Sequence, residues 1–436
     1  MSPASHLVVW MNGVRVGTWT EPRNGRAALQ YDPEWVNAKE GRPLSLSLPF
    51  TPGNTPLRGS RVTCYFENLL PDSDVIRERI RGRFGAPSTG AFDLLKAIGR
   101  DCVGAVQLLE DGETPTGFDR VDGKPLDEQG VEGVIDASLS PARGVPSDET
   151  SEFRISIAGA QEKTALLRWK SRWLLPRGAT PTTHILKLPL GMVGNMQADM
   201  RDSVENEWLC SRLIAAFGLP VARCEMAEFG RRTVLIVERF DRARQGDRWI
   251  ARLPQEDFCQ ATGKPPRQKY EADGGPGMSD VLRILATGSA AVSDSRTFIK
   301  AQILYWMLAA VDGHAKNFSV FHERGGTHRL TPLYDVVSAW PVIGNGRNEI
   351  SWHKASLAMA VRSRNAHWKL KEILPRHWDA VARAAGLSAG EIIAELISET
   401  PKAISAANAE LPRGFQSRVS DAIFAGLRDQ AKRLQG

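Results

Sequence analysis

A run of nine apolar residues, Ile303 to Val311, ends at the polar segment Asp312-Gly-His-Ala-Lys-Asn317 and strongly constrains how this chain can fold. The run is about half of the ~20 residues that a membrane-spanning helix needs, so it belongs in a protein core. Apolar periodicity begins upstream and predicts one buried helix over 294–310. Such a helix brings the polar residues that follow it to a fixed place at the edge of the core.

Composition is typical of a globular protein. Of 436 residues, 42% are hydrophobic and 24% charged, which excludes an intrinsically disordered chain. The net charge of +6 permits an anionic partner without requiring one. Five scattered cysteines without a C-x-x-C argue against a disulfide framework and a thiol zinc site. The opening residues lack the pattern of a signal peptide, so we expect a cytoplasmic protein without membrane contact.

The pattern of strands, helices and loops predicts three regions. Residues 1–150 are expected to form a β-rich domain that opens with a hairpin turning at Asn12-Gly13, with loops over 111–152. Residues 151–240 are expected to be mixed α/β, with strands at 155–157, 163–169, 184–188 and 233–238 and a helix at 203–217. Residues 241–436 are expected to be mostly helical, with helices at 279–287, 294–310, 366–374, 375–385 and 389–397.

Two local features can be interpreted further. A hairpin over 318–322 and 327–333 interrupts the helical region, and this interpretation puts His322 and His328 near the surface. A basic stretch over 77–83 contains Arg77, Arg79, Arg81 and Arg83. For this stretch a solvated helix face is favoured over an anion-binding patch.

Asp312 and Asn317 have the spacing of a kinase catalytic loop, in which the aspartate accepts the proton of the attacking hydroxyl and the asparagine binds magnesium. This spacing alone is common in large proteins. The order of features is more informative, because a helix, this loop, a hairpin and then Tyr334-Asp335 follow one another as in kinases. The alternative is that Asp312 caps a helix or turn and that Asp335 begins a turn.

Residues upstream could hold phosphates. The small-residue turn at 158–160 could bring backbone amides close to a phosphate, although a plain hairpin is the alternative. Lys187 lies inside an apolar strand, where an unpaired charge is costly. It therefore lies at a sheet edge or pairs with an anion such as a nucleotide phosphate. Glu205 or Glu207 on the next helix could anchor it, and Glu207 is nearer the apolar face.

Together these segments resemble the HipA family of serine/threonine-kinase toxins, the toxin half of HipA–HipB toxin–antitoxin modules. The N-terminal segments VWMNGVRVG and YFENLLPD fit the accessory domain of that family. The resemblance extends over nearly the whole chain and is carried by RISIAGAQEKTALL (154–167), PTTHILKLP (181–189), SVENEW (203–208), VERFDR (237–242), LPQEDFCQATG (253–263), KYEADGGPG (269–277), DGHAKNFSVF (312–321) and LTPLYDVVSA (330–339).

The resemblance implies an α+β, two-lobed protein-kinase-like fold. A β-rich accessory N-terminal domain (1–150) would precede a mixed α/β small lobe (151–240) and a mostly helical C-terminal lobe (241–436), with ATP and Mg²⁺ between the lobes. Asp312 corresponds to the general base, Asn317 and Asp335 to the metal ligands, and Ser156 to the autophosphorylated serine. The implied ATP-contacting residues are Ala158, Gly159, Ala160, Gln161, Glu162, Lys163, Lys187, Glu238, Arg239, Phe240, His314, Ala315, Lys316, Asn317, Tyr334 and Asp335.

The resemblance also implies an activity and partners. The γ-phosphoryl of ATP would pass to a serine or threonine of a translation-related protein, first of all glutamyl-tRNA synthetase, with growth inhibition or persistence as the outcome. Autophosphorylation would inactivate the protein. A HipB-like helix-turn-helix antitoxin would neutralise it and contact operator DNA, which would associate the complex with the nucleoid. The competing hypothesis is an ATP-binding co-repressor that acts as a scaffold on operator DNA without transferring phosphate.

Overall fold

A computed structural model describes residues 5–22, 25–139, 158–159, 161–194 and 197–435. The N-terminal part contains a five-stranded antiparallel sheet in the order β4-β3-β2-β1-β5. Its strands are β1 (Ser5–Met11), β2 (Val14–Glu21), β3 (Ala28–Tyr31), β4 (Leu57–Arg58) and β5 (Val106–Leu109). Its helices are α1 (Pro33–Asn37), α2 (Ser60–Glu67), α3 (Asp74–Phe84) and α4 (Ala91–Ile98).

The opening hairpin turns at Asn12-Gly13, as predicted, because both residues have positive φ, 47° and 82°. On the inner face of this sheet Trp19 stacks on Phe66 with ring centroids 3.9 Å apart. Both rings are fully buried and anchor a core of their own for the N-terminal domain. The Asn12 side chain reaches out of this domain, since its amide exchanges hydrogen bonds of 2.8 Å with the backbone of Arg252.

The middle part is a six-stranded sheet in the order β12-β13-β9-β7-β8-β6. Its strands are β6 (Gly123–Leu126), β7 (Lys163–Trp169), β8 (Arg172–Pro176), β9 (His184–Lys187), β12 (Cys224–Phe229) and β13 (Arg232–Glu238). Two helices flank it, α5 (Glu128–Leu139) and α6 (Ser203–Ala216), and β10 (Gly191–Val193) pairs with β11 (Ala198–Met200) beside it.

The prediction of loops over 111–152 is wrong for part of that stretch. Strand β6 pairs with β8, and the apolar face of α5, with Val131 and Ile135, packs under the same sheet beside Leu166 and Leu186. The Gly- and Pro-rich composition of this region concealed the pairing, because β6 itself contains Gly123 and Pro125 at a sheet edge. Residues 123–139 thus pack with the middle sheet.

The remainder is mostly helical around one large core. Its helices are α7 (Phe258–Thr262), α8 (Met278–Leu285), α9 (Ala291–Met307), α10 (Pro375–Ala384), α11 (Ala389–Ala409) and α12 (Ser417–Gln435). Its strands are β14 (Arg242–Gln245), β15 (Trp249–Arg252), β16 (Gln255–Asp257), β17 (Ser319–His322), β18 (His328–Leu330), β19 (Ser356–Arg362) and β20 (Ala366–Lys369). The predicted α+β class is confirmed. Among the described residues, no helix is both long enough and apolar enough to cross a bilayer.

Helix α9 is buried on all sides from Phe298 to Met307, as its uninterrupted apolar run predicts. The predicted hairpin is present as β17 and β18. The surface position predicted for its two histidines is wrong, since His322 and His328 are buried. His328 Nε2 lies 2.8 Å from the Ile284 carbonyl oxygen, to which it is hydrogen-bonded. His322 Nε2 lies 3.0 Å from Glu256 Oε1, although this contact lacks the geometry of a hydrogen bond.

The helix predicted over 366–374 is also wrong. Residues 366–369 form β20, which pairs with β19, and residues 370–372 form one 3₁₀ turn. The apolar spacing of this segment fits a helix, but pairing with a neighbouring strand decided its structure. Tertiary context overrides a short local pattern here.

A buried ion cluster joins the N-terminal domain to the other two parts. Asp101, just after α4, lies within 3.0 Å of guanidinium nitrogens of Arg242 and Arg252 and 3.5 Å from Arg239. Arg239 also forms two hydrogen bonds, 3.0 and 2.8 Å long, with Asp241. Burial raises the pKa of the Asp101 carboxyl, but the three arginines together hold it well below its ordinary value. Asp101 is therefore a permanent anion in the fold.

Asp101→Asn tests this cluster. Asparagine keeps the size but leaves buried guanidinium groups without their shared counter-charge, so we expect a loss of about 3–5 kcal/mol of unfolding free energy. The measurement is urea unfolding followed by circular dichroism. Glu110→Gln is the matched control, since its pair with Lys96 is exposed and should be worth less than about 1 kcal/mol. Equal unfolding midpoints for the two variants would contradict this prediction.

Candidate functional site

Lys187, at the end of strand β9, forms ion pairs with Glu207 of helix α6 and with Asp335. Its Nζ donates to Glu207 Oε1 at 2.6 Å and to Asp335 Oδ1 at 2.7 Å. Burial lowers the pKa of the lysine, but the two carboxylates raise it above its ordinary value, so the ammonium stays charged. Glu207 is buried on the apolar face of α6, as its helical spacing favours, whereas Glu205 is half-buried. An ammonium group has three N–H donors, so one remains for a further ligand.

The backbone of Asp335 has a φ of 60°. This left-handed conformation is uncommon for residues other than glycine. Burial raises its pKa, but Lys187 and Lys163 lower it well below the ordinary range of a carboxyl group. A fully ionised carboxylate held in a strained backbone conformation is a common feature of functional sites. The preceding Tyr334 hydroxyl donates to the Lys316 carbonyl oxygen at 2.8 Å, which ties this turn to the loop after α9.

The loop 312–317 is held by its own hydrogen bonds. The backbone carbonyl oxygen of Asp312 accepts from the His314 amide and from the Asn317 side-chain amide, both at 2.8 Å. This orientation uses the Asn317 nitrogen and leaves its oxygen available as an acceptor. The carboxylate of Asp312 accepts a 2.6 Å hydrogen bond from the Tyr270 hydroxyl.

His314 is buried, and its ring meets the Tyr270 ring edge-on at 5.1 Å. Burial lowers the pKa of His314, so its ring is neutral near pH 7. Its Nδ1 atom has no hydrogen-bond partner in the part of the chain that the structure describes. A buried polar atom without a partner, beside a catalytic-type loop, suggests that a ligand completes the site.

The turn upstream of β7 faces the same region. Gly159 has φ of 107°, a backbone conformation that residues other than glycine rarely adopt. Lys163 Nζ donates to the Ala158 carbonyl oxygen at 2.7 Å, and Gln161 donates to the Leu188 carbonyl oxygen at 2.5 Å. Lys163 lies directly opposite Lys187 in the pairing of β7 with β9. Two lysines therefore face the same end of the sheet.

Two predicted positions, Ala160 and Ser156, lie outside the described residues. Three of the predicted ATP-contacting residues, Glu238 to Phe240, form a segment that we call the hinge and that begins at the last residue of β13. The amides of Glu238 and Arg239 donate to the carbonyl oxygens of Arg223 and Thr183. The guanidinium of Arg239 lies in the Asp101 cluster, which gives that side chain a structural role. The Phe240 ring packs 5.5 Å from the Tyr334 ring.

Sequence reasoning missed three residues that contact this site. Tyr270 holds Asp312. Asp72 of the N-terminal domain accepts from Lys316 at 2.7 Å and from Lys269 at 3.1 Å. Arg79 of α3 forms a two-point pair with Glu162. Arg79 is part of the basic stretch interpreted as solvated, whereas the structure makes it a partly buried ion-pair residue.

The oxygen groups of the site fit magnesium better than zinc. No group of three or more histidine, cysteine or acidic side chains is close enough to hold a metal within the described ranges. The predicted ligands Asp335 and Asn317 would supply one charged and one neutral oxygen. This small set suits Mg²⁺, which usually takes one or two carboxylates together with substrate phosphates and water.

Lys163 offers a direct test of the electrostatics. Burial and the nearby Lys187 ammonium lower its pKa to about 8, against the opposing effect of Asp335. We expect competitive acetylation at increasing pH, followed by mass spectrometry, to give Lys163 an apparent pKa of about 8. Lys170, an exposed lysine one residue after β7, serves as the reference. Labelling of Lys163 that begins only near the ordinary lysine value of about 10.4 would contradict the prediction.

Comparisons with known proteins identify the family of this chain. The family model described as HipA-like C-terminal domain matches residues 155–407, and that of the HipA N-terminal domain matches residues 7–109. The chain is 32% identical, over 92% of its length and 91% of the relative, to a protein of Sinorhizobium fredii named as a candidate kinase, Y4mE. It is 28% identical, over 71% of its length and 70% of the relative, to the serine/threonine-protein kinase toxin HipA of Shewanella oneidensis.

Among solved structures, the HipA chain in the Shewanella oneidensis HipA, HipB and operator DNA complex has a TM-score of 0.78 at 23% identity. The match covers 99% of this chain and 97% of that one, and it confirms the predicted kinase-like fold. A family model over more than half of the chain, together with these relatives, establishes that the protein belongs to the HipA family.

Proposed function

We propose that this protein is a toxin-type serine/threonine protein kinase that transfers the γ-phosphoryl of ATP to a protein hydroxyl. The observation that carries the proposal is the buried Lys187, paired both with Glu207 of α6 and with Asp335 beside the Asp312 loop. Kinases use such a lysine–glutamate pair to hold phosphates close to an aspartate that binds magnesium. The relatives named as kinases support the same activity.

In the proposed reaction the serine or threonine oxygen attacks the γ-phosphorus, and a new P–O bond forms as the bond to the β,γ-bridging oxygen breaks. The electron pair of the broken bond leaves with ADP. The carboxylate of Asp312 accepts the hydroxyl proton. Its hydrogen bond from Tyr270 holds it in place beforehand and must yield, or be shared, when the acceptor hydroxyl arrives.

The residues around the cleft would hold ATP in complementary ways. Lys187 and Lys163 would meet phosphate oxygens, and the turn at Gly159 would bring backbone amides close to them. The unpartnered Nδ1 of His314 would form a hydrogen bond with the nucleotide, donating to a phosphate oxygen or accepting from a ribose hydroxyl according to the ring's tautomer. Adenine would lie against the 238–240 hinge and the Phe240 ring. Mg²⁺, held by Asn317 and Asp335, would neutralise charge on the phosphates.

The partners are proposed from the relatives. The Shewanella oneidensis complex contains HipA, HipB and operator DNA. We therefore expect a HipB-like antitoxin that neutralises the kinase and makes most of the contacts between the complex and DNA. Glutamyl-tRNA synthetase is the first candidate acceptor, with growth inhibition and persistence as the outcome. We also expect autophosphorylation on Ser156, where about −1.5 to −2 charges would repel the ATP phosphates and inactivate the protein.

Asp312→Asn is the main test of the activity. Asparagine still accepts the Tyr270 hydrogen bond but cannot take a proton, so we expect transfer to fall by at least about a hundredfold with ATP affinity within severalfold of wild type. Both proteins are incubated with radiolabelled ATP and a bacterial lysate, and the labelled band is identified. An unlabelled lysate with the wild-type protein would instead favour the co-repressor hypothesis.

Asp335→Asn tests the metal site separately from the base. It removes a charged magnesium ligand, so calorimetry should show weaker binding of a non-hydrolysable ATP analogue in Mg²⁺. In EDTA binding should not weaken, because there the Asp335 carboxylate only competes with phosphate for Lys187. Asp312→Asn is the matched control, because it should keep magnesium-dependent affinity while losing transfer. Unchanged affinity of Asp335→Asn in Mg²⁺ would remove Asp335 from the metal site.

A further inference from the structure

One segment of the N-terminal domain, Pro71 to Arg79, contacts both loops of the proposed site, and we call it the brace. Its first contact is a two-point ion pair in which Arg79 Nη1 and Nη2 each donate to Glu162 at 2.8 Å. Both side chains are mostly covered, with 17% and 32% exposed. Planar two-point pairs between arginine and carboxylate fix geometry as well as charge. Arg79 therefore sets where Glu162 lies.

The second contact lies at the other end of the brace. The Asp72 amide donates to the Gly159 carbonyl oxygen at 3.0 Å, and Pro71 forms a parallel β-bridge with Gly159. The Asp72 carboxylate accepts from Lys316 at 2.7 Å and from Lys269 at 3.1 Å. The brace thus joins the turn before β7 to the loop after α9.

The brace is itself held firmly. Ser73 caps α3 at its N-terminus, and Arg77 Nε donates to the Pro71 carbonyl oxygen at 2.7 Å. Arg79 also donates to the carbonyl oxygen of Ser138, and Arg83 to that of Ala137, at the end of α5. Cationic side chains near the C-terminal carbonyl groups of a helix are stabilising. The interaction of α3 with the C-terminal end of α5 is therefore electrostatic as well as hydrogen-bonded.

We propose that the brace is a positioning element of the nucleotide site, and that Arg79 sets the affinity for ATP through Glu162. This inference rests on the proposed function, since it concerns the same ATP site. Without Arg79, Glu162 would present an uncompensated negative charge beside the phosphates, and the turn at Gly159 would lose one of its supports. Both changes weaken the binding of a polyanion. The N-terminal domain is then part of the ATP site and not only an accessory surface.

Arg79→Gln is the test, and Arg81→Gln is its matched control. Arg81 lies on the same helix and pairs only with the exposed Glu78, three residues away, among the contacts described for it. We expect Arg79→Gln to weaken ATP binding about tenfold, within the usual range for coupled sites, and to raise KM for ATP more than it lowers kcat. Hydrogen exchange in peptides covering Gly159 to Lys163 should become faster in the ATP-free protein. Arg81→Gln should leave the ATP affinity, the kinetic constants and the hydrogen exchange of these peptides unchanged.

The outcomes separate the two proposals. Wild-type ATP affinity in Arg79→Gln, whatever its melting temperature, overturns the inference and leaves the kinase proposal standing. An equal loss in Arg81→Gln overturns it as well, because the effect would then reflect net charge alone. A wild-type protein that binds no ATP overturns the proposed function and this inference with it. If Arg79→Gln does not fold, Arg79→Lys replaces it, since lysine keeps the charge but not the two-point geometry.

Discussion

The carboxylate of Asp101 is the anion on which the placement of the N-terminal domain depends. It draws in guanidinium groups from the hinge and from the β14–β15 hairpin, and Asp241 shares them. Three arginines still outnumber two carboxylates, and backbone carbonyl oxygens of Cys102, Gly104 and Ala179 accept hydrogen bonds from some of their other N–H groups. Such a buried cluster tolerates little displacement, because any lost contact leaves a charge in a low-dielectric interior. The angle between the N-terminal domain and the hinge is fixed accordingly.

This anchoring has a consequence on the other side of the domain. With the hinge side fixed by Asp101, the brace is held against the turn at Gly159 and the loop at Lys316. Further bonds run from the N-terminal domain to the helical part, for example Leu46 N–H to Glu256 Oε1 at 2.8 Å and Asn68 Nδ2 to the Lys264 carbonyl oxygen at 2.9 Å. One domain thus touches both lobes of the kinase-like fold. Relative motion of the lobes has to strain or break these contacts.

Sequence reasoning succeeded where the information was local. The Asn12-Gly13 turn follows from backbone preference, and the buried helix α9 from an uninterrupted apolar run. Helical spacing puts Glu207 nearer the packed face but does not decide which glutamate pairs with Lys187, and the structure shows that Glu207 does. The predicted order of helix, loop, hairpin and Tyr334-Asp335 is present, and the Tyr334 hydroxyl contacts the loop at the Lys316 carbonyl oxygen. The roles assigned to the site residues, from Asp312, Asn317 and Asp335 to the undescribed Ala160 and Ser156, stay predictions.

What sequence reasoning missed depends on contacts between distant residues. Arg79 and Glu162 are 83 positions apart, and Tyr270 and Asp312 are 42 apart, so no periodicity relates them. An arginine in a basic stretch is most often solvated, and only the docking of α3 on α5 makes Arg79 an exception. The helix predicted over 366–374 is wrong for the same kind of reason. Residues 366–369 pair with strand β19, and this pairing outweighs their helical spacing.

The charges around the site suggest why the nucleotide would bind together with a metal. Four lysines lie there, Lys163, Lys187, Lys269 and Lys316, and the carboxylates beside them are Glu207, Asp335, Asp72 and Asp312. Most of these cations already have an anionic partner. A bare triphosphate would therefore have to compete with protein carboxylates for the same ammonium groups. In the proposed site, a divalent cation bound to Asp335 and the phosphates together would reduce that competition, since it would supply positive charge where Lys187 is already shared.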